Sequence, residues 1–204
     1  MLILARHGAT AENDAGTLLG RQPAGLSERG VVEARALADW LRTRYRVSTI
    51  HSSDLPRAVQ TADVVASALG IDEPREHPLL RERELGPFEG LGREELLAER
   101  RRRGLPTSSP TQDWHGVEEV ESDSAVWARF ERFASDCGLF ARAEEADVLV
   151  VTHAGVIRSC LHESFRIPGD RPRCFRVQTG HALVLALAPH GLELHEMWRN
   201  DERR

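Results

Sequence analysis

The sequence predicts an α/β layered fold: a three-layer sandwich with a mostly parallel central sheet flanked by helices, and a small lid of helix and loop. Two observations carry this. Short apolar runs of strand character alternate with segments whose apolar residues recur at helical spacing. Three of the runs also turn from apolar to polar at their carboxyl ends: "ILARHG" from residue 3, "TIHSSD" from residue 49 and "LVVTHAG" from residue 149. Sheets of this class hold ligands outside that end.

Taken in order, Leu2, Ile3, Leu4 and Ala5 have the length and character of a buried strand, and Arg6, His7 and Gly8 belong where a loop opens into a pocket. Residues 27–45 read as a helix through Val31, Ala34, Ala38, Leu41 and Tyr45, with Ser27 as its cap. Residues 47–53 read as a strand. Asp54 is then expected to cap a helix that carries Pro56 in its first turn, buries Ala58, Ala62, Val65, Ala66 and Leu69, and stops at Gly70. Residues 92–104 and 122–145 look helical, and 105–116, rich in Pro, Ser and Thr, look like loop. "DVLVVTH" (147–153) is the clearest strand. A helix from about 155 to 166 follows, then β-like runs near 174–178, 182–188 and 192–198.

The 204 residues fit one domain, 1–204, with about 88–145 contributing a variable lid. A hydrophobic share of 41% and a charged share of 29% describe an ordinary soluble protein, and no apolar stretch approaches the roughly 20 residues of a membrane span. The start of the chain has no basic segment before an apolar stretch, so no signal peptide is expected. Cys137, Cys160 and Cys174 are odd in number and lack C-x-x-C spacing, which argues against a disulfide framework or a zinc site and suits a reducing cytoplasm. All 27 basic residues are arginine, and the net charge of −5 argues against a nucleic-acid binder. The run Arg100–Arg103 reads as the solvated end of a helix, where cations complement the dipole. Nothing in the composition points to a membrane partner, and a homodimer is left open.

The chemistry lies in the polar groups at the strand ends: Arg6, His7, Arg57, Glu82, His153 and Gly155. Planar guanidinium groups suit a phosphoryl dianion through paired hydrogen bonds. Gly8 and Gly155 let the backbone approach a ligand. Of two imidazoles, one can attack phosphorus while the other donates to phosphoryl oxygens. Neighbouring guanidinium charge keeps the attacker neutral, and a carboxylic acid can protonate the departing alkoxide. Glu84 and Glu89 rival Glu82, since any of the three can be a structural carboxylate paired with Arg81 or Arg83. His51, His77, His115, His162, His181, His190 and His195 read as ordinary histidines, although His181 in "QTGHA" precedes a late strand. Trp114 is either a lid contact to substrate or a packing residue, and Trp40, Trp127 and Trp198 read as core.

Five ordered segments, "RHGATAEN" (6–13), "GR" leading to "LSERG" (20–30), "SSDLPRAVQTA" (52–62), "LRERELGPFEG" (80–90) and "VTHAGVIR" (151–158), resemble the histidine phosphatase superfamily, which includes the cofactor-dependent phosphoglycerate mutases. The resemblance implies that His7 accepts the phosphoryl group, that Arg6, Arg57 and His153 form the phosphate pocket, and that Glu82 donates the proton. Asn13 matches the family asparagine near the phosphate, and Thr10 and Arg21 are weaker matches; Gly155 and His181 complete the substrate-binding set. The resemblance implies no metal and no organic cofactor. Ala9 replaces an acidic or amide residue, Ala154 a frequent glycine, and residues 115–126 match only loosely through Glu121 and Ser122. The expectation is a cytoplasmic phosphatase acting on a small phosphorylated molecule. A mutase-type transferase ranks second, because the chain lacks the longer insertions and C-terminal tail of those enzymes. A non-catalytic phospho-ligand sensor ranks third, because every catalytic group is retained.

Overall fold

The computed structural model describes residues 1–108, 114, 116–164, 176–188 and 191–200. Six strands form one sheet in the order β3-β2-β4-β1-β5-β6. β1 (Leu2–Arg6) lies at its centre, parallel to β4 (Asp147–Thr152), which is parallel in turn to β2 (Val47–Ser52). β3 (Arg75–Glu76) extends the parallel side by two residues, while β5 (Ala182–Ala188) and β6 (Gly191–Trp198) run antiparallel at the other edge.

Strand alternation divides the core into two layers. Ile3, Ala5, Leu149 and Val151 face α2 (Glu28–Arg44) and α3 (Pro56–Leu69); Leu2, Leu4, Val148 and Val150 face α5 (Asp123–Asp136), α6 (Leu139–Glu145) and α7 (Ala154–Ser164). Each large side chain buried this way contributes on the order of 1.5–3 kcal/mol. Between them, α1 (Ala11–Asp14) is a single turn and α4 (Arg93–Arg102) belongs to a third cluster of Leu85, Phe88, Leu96, Trp114, Val117 and Val120. The segment 88–145 therefore divides: its first part builds the separate cluster, and α5 and α6 pack on the sheet.

Several local expectations hold. Ser27 accepts a hydrogen bond from Gly30 N at 3.2 Å and caps α2, and Gly70 ends α3 in the left-handed region at φ 67°. Trp40 stacks on Trp198 with ring centroids 5.1 Å apart. Others are corrected. Leu55, not Asp54, occupies the cap position of α3; the Asp54 carboxylate instead takes both a 2.7 Å bond from Arg81 Nε and one from Nη2, a bidentate pair that outcompetes a backbone N–H. The helix expected over 122–145 breaks at Gly138, φ 58°. Residues 176–178 are irregular, while Cys174, His115, His190 and residues 109–113 of the expected loop 105–116 lie outside the described residues.

The arginine run is also not uniformly solvated. Arg100 is fully buried, donates from Nε to Pro106 O at 2.6 Å and places its guanidinium 5.1 Å from the Trp114 ring centroid. Arg103 lies 4.9 Å from the Phe88 ring and pairs with Glu99 and Glu119. Cation–π contact over desolvated rings offsets their removal from water. Among the described residues no helix is long and apolar enough to cross a membrane.

Candidate active site

The carboxyl ends of β1, β2 and β4 converge as the sequence predicts. His7 N donates to Thr152 O at 3.0 Å, Arg6 N to His181 O at 2.9 Å and Ser53 N to Val151 O at 2.9 Å. The loop after His7 is held from two helices: Gly8 N donates to Thr61 Oγ1 at 3.0 Å and Ala9 N to Glu33 Oε2 at 2.9 Å. A Cβ on Gly8 would collide with the carbonyl oxygen of Gly30, so only glycine lets this loop rest on the start of α2.

His7 is 2% exposed, and two hydrogen bonds fix its tautomer. The Gly8 carbonyl can only accept, so Nδ1, 2.7 Å away, carries the proton. Nε2 then holds a bare lone pair, and Arg57 Nε donates to it at 3.3 Å. Burial lowers the His7 pKa well below the usual imidazole value, and the Arg6 and Arg57 charges lower it further. His7 is thus a neutral imidazole with its nucleophilic nitrogen defined.

Arg57 is also buried, and donates to Gln22 O at 2.9 Å and to Gly20 O at 2.7 Å. Burial brings its pKa down to about 10, which still leaves it charged at neutral pH. Arg6 Nη1 donates to Val177 O at 2.8 Å. His153 packs beside His7 with ring centroids 5.1 Å apart, and its own pKa is pushed well down by burial first and then by Arg57. Ser53 Oγ accepts from Leu55 N at 3.2 Å and lies 2.9 Å from His153 Nε2. His153 Nδ1 is buried and meets no hydrogen-bond partner among the described residues.

These groups adjoin a cavity of about 570 Å³ lined by Arg6, His7, Asn13, Arg57, Glu82 and Gly155. Glu82 is clamped from both sides: Oε1 accepts from Arg83 N at 2.7 Å and Oε2 from Gly155 N at 3.1 Å. A Cβ at residue 155 would strike Oε1, which explains the glycine. Geometry also separates the three acids. Glu84 is exposed and pairs with Arg21, and Glu89 Oε1 accepts from Arg21 N and Leu85 N; neither lines the cavity. Arg81 and Arg83 pair with Asp54 and Asp123 rather than with Glu82.

Three expected binding residues sit behind this wall. Thr10 is buried and forms a reciprocal cap with Asn13, its Oγ1 accepting from Asn13 N at 3.2 Å. It positions Asn13 instead of lining the cavity. Arg21 is committed to Glu84, Glu121 and the carbonyl of Glu82, at 2.9, 3.2 and 3.1 Å, and so holds the acid's segment in place. His181 offers Arg6 its backbone carbonyl, and it too does not line the cavity. His153 also lies behind the lining, next to His7. Conversely, Trp114, Arg158, Gln178 and Thr179 line the cavity, of which only Trp114 was expected near it. Thr61 and Glu33 were missed as supports of the His7 loop. Each left a signal: a polar residue within the apolar stripe of its helix, among Ala58, Ala62 and Val65 or beside Ala34 and Leu37.

Comparison with known proteins agrees. The family model for the histidine phosphatase superfamily (branch 1) matches residues 2–200. The adenosylcobalamin/alpha-ribazole phosphatase of Salmonella typhimurium is 30% identical over 182 residues, 88% of this chain and 86% of that protein. Phosphoglycerate mutase-like protein 4 of Arabidopsis thaliana is 32% identical over 165 residues, 81% of this chain and 70% of that protein. A mycobacterial glucosyl-3-phosphoglycerate phosphatase solved with VO3 superposes with a TM-score of 0.81 at 25% identity, covering 95% of this chain and 96% of that one. With His7 restrained by the Gly8 carbonyl and the Arg57 guanidinium, and with a match along nearly its whole length, the chain belongs to the histidine phosphatase superfamily.

Proposed function

We propose that this chain hydrolyses small-molecule phosphate monoesters through a phosphohistidine formed on His7. The observation that carries the reading is the double restraint on His7, with Nδ1–H on the Gly8 carbonyl and the Nε2 lone pair facing the Arg57 guanidinium. A substrate phosphoryl group entering beside Arg6 and Arg57 draws the Arg57 Nε hydrogen bond away from His7 and frees the lone pair. Nε2 attacks phosphorus, the N–P bond forms and the P–O ester bond breaks. Glu82, in its acid form, passes its proton to the leaving oxygen. The Gly8 carbonyl stabilises the charge that grows on the ring. Water then attacks the phosphohistidine, giving its proton to the Glu82 carboxylate as the N–P bond breaks and inorganic phosphate leaves. Arg6 and Arg57 supply the positive charge that the equatorial oxygens need, so the chemistry as assigned uses no metal ion.

A cavity of about 570 Å³ suits a small ligand. Leu18, Leu85 and Trp114 are also among its lining residues and support a substrate with a carbon body. The test is to quench the enzyme during turnover of a ³²P-labelled monoester with chelator present. Acid-labile, alkali-stable label on wild type and none on His7→Ala is expected. Label retained in His7→Ala would reassign the nucleophile, and label passed to a second alcohol in preference to water would reassign the enzyme as a mutase.

A further inference from the structure

Away from the cavity, three segments distant in sequence bring metal-ligand atoms together. His51 lies on β2, His77 follows β3, and Cys137 closes α5. His51 Nδ1 is 3.1 Å from His77 Nε2, Cys137 Sγ is 3.7 Å from that same nitrogen, and all three ligand atoms lie within 4.8 Å of one another. With Zn–N near 2.0–2.1 Å and Zn–S near 2.3 Å, a tetrahedral ion needs N–N and N–S edges of about 3.3–3.6 Å. Two of the edges are within a few tenths of an ångström of those values before any ion is present.

Protons alone serve this trio poorly. His77 Nε2 has one lone pair or one hydrogen, yet both His51 Nδ1 and the Cys137 sulfur point their hydrogen-bonding capacity at it. Whichever neighbour engages it, the other competes for the same nitrogen. An ion takes a lone pair from all three at once. We propose that His51, His77 and Cys137 form a binding site for a thiophilic transition-metal ion of the Zn²⁺ type, separate from the phosphate cavity.

The donor set, two imidazoles and one thiolate, selects Zn²⁺ or Co²⁺ over Mg²⁺ or Ca²⁺. His51 is buried, whereas His77 and Cys137 are only partly so, which leaves water access for a fourth ligand. The surroundings are mixed. Arg75 and Arg142 act on the site with positive charge, and Asp136 opposes them at His77. Burial, and after it Asp136, push the Cys137 thiol up; the guanidinium groups of Arg142 and Arg75 act against that rise while weakening a dication's hold. The Phe133 ring, 5.3 Å from His51 and 4.9 Å from His77, shields the inner side. Bound there, the ion would fasten α5 to the sheet edge at the point where the chain turns towards Glu82.

The test uses the full chain, stripped with chelator and titrated with Co²⁺. One equivalent should give tetrahedral d–d bands with a thiolate-to-cobalt charge-transfer band, and Zn²⁺ should displace it stoichiometrically. Cys137→Ser should remove the charge-transfer band and weaken Zn²⁺ binding at least roughly 10–100-fold. His77→Gln should weaken binding likewise, whereas His7→Asn should leave the spectrum intact and exclude the phosphate pocket. Folded wild-type protein that develops no charge-transfer band overturns the proposal without any variant. A band that survives in Cys137→Ser overturns it too, by assigning the sulfur to Cys160 or Cys174.

Discussion

Two histidine pairs in this molecule share one geometry. His7 and His153 have ring centroids 5.1 Å apart at 55°, and His51 and His77 have centroids 5.1 Å apart at 51°. Their surroundings differ in the groups that fix the protons. Around the first pair, a carbonyl and a guanidinium fix the protons and leave one nitrogen bare. Around the second, a thiol and a phenyl ring replace them, and one nitrogen of each ring, His51 Nδ1 and His77 Nε2, faces another possible ligand. Ring stacking therefore says nothing about function; the groups that decide where the proton sits say nearly all of it.

The most severe way to break the comparison is to remove one ring from each pair. His7→Ala should lower kcat on a phosphate monoester by roughly 10⁴-fold or more, as expected for a sole nucleophile. His77→Ala should leave kcat close to wild type in the same assay. Comparable losses in both would merge the two pairs into one functional unit.

Next in size come the partners of the first pair. Glu82→Gln should cost about 10²–10⁴-fold in kcat/KM on an alkyl phosphate, whose alkoxide needs a proton, and far less on p-nitrophenyl phosphate. Arg57→Ala should cost about 10²–10³-fold on both esters alike, since each presents the same oxygens. Equal losses on the two esters in Glu82→Gln would reduce Glu82 to a shape-giving role. A subtler probe is Gly155→Ala. Its new methyl must displace the Glu82 carboxylate by something like an ångström, worth roughly 10²-fold in kcat on the alkyl ester with little change in KM.

A last effect, read on stability and not on rate, concerns what the pairs have in common. Burial and nearby positive charge hold His7 and His153 well below their ordinary pKa and His51 at about 4. In the unfolded chain these groups titrate near 6.5, so below that pH the unfolded state binds more protons than the folded one. Stability is therefore full above about pH 6.5 and declines as the pH falls, with His51 alone accounting for about 3 kcal/mol once the pH is below 4. Urea midpoints at about pH 7.5 and about pH 5 test the sign, with the lower midpoint expected in acid.

Much of this was legible in the sequence, for identifiable reasons. β1, β2 and β4 announce themselves because buried parallel strands are nearly continuous apolar runs, and their polar ends mark the site. β3 was missed because Arg75 and Glu76 are exposed and carry no apolar signal. The burial of Arg100 was hidden because its partner, Trp114, arrives from a distant loop. The juxtaposition at Cys137 was hidden for the same reason: a C-x-x-C pattern detects neighbours in sequence, whereas His51 and His77 reach this sulfur only through the fold. Motif matching ranked Arg57 in the phosphate pocket and Arg21 as a weaker match, and the structure sharpens that ranking: Arg57 faces the cavity and Arg21 lies behind the wall.

The two bonds from Arg57 to the carbonyls of Gly20 and Gln22 carry one more consequence. They immobilise the guanidinium before any ligand arrives, so the rotamer entropy of a long side chain is surrendered during folding and not on binding. Under the proposed function, substrate capture would require the exchange of a single long contact, the one to His7. A lysine at this position could not reproduce that state. Its ammonium keeps the charge but cannot span two carbonyls and a phosphoryl oxygen in one plane, so Arg57→Lys should behave as a loosened site in which each turnover begins with a search for the right pose.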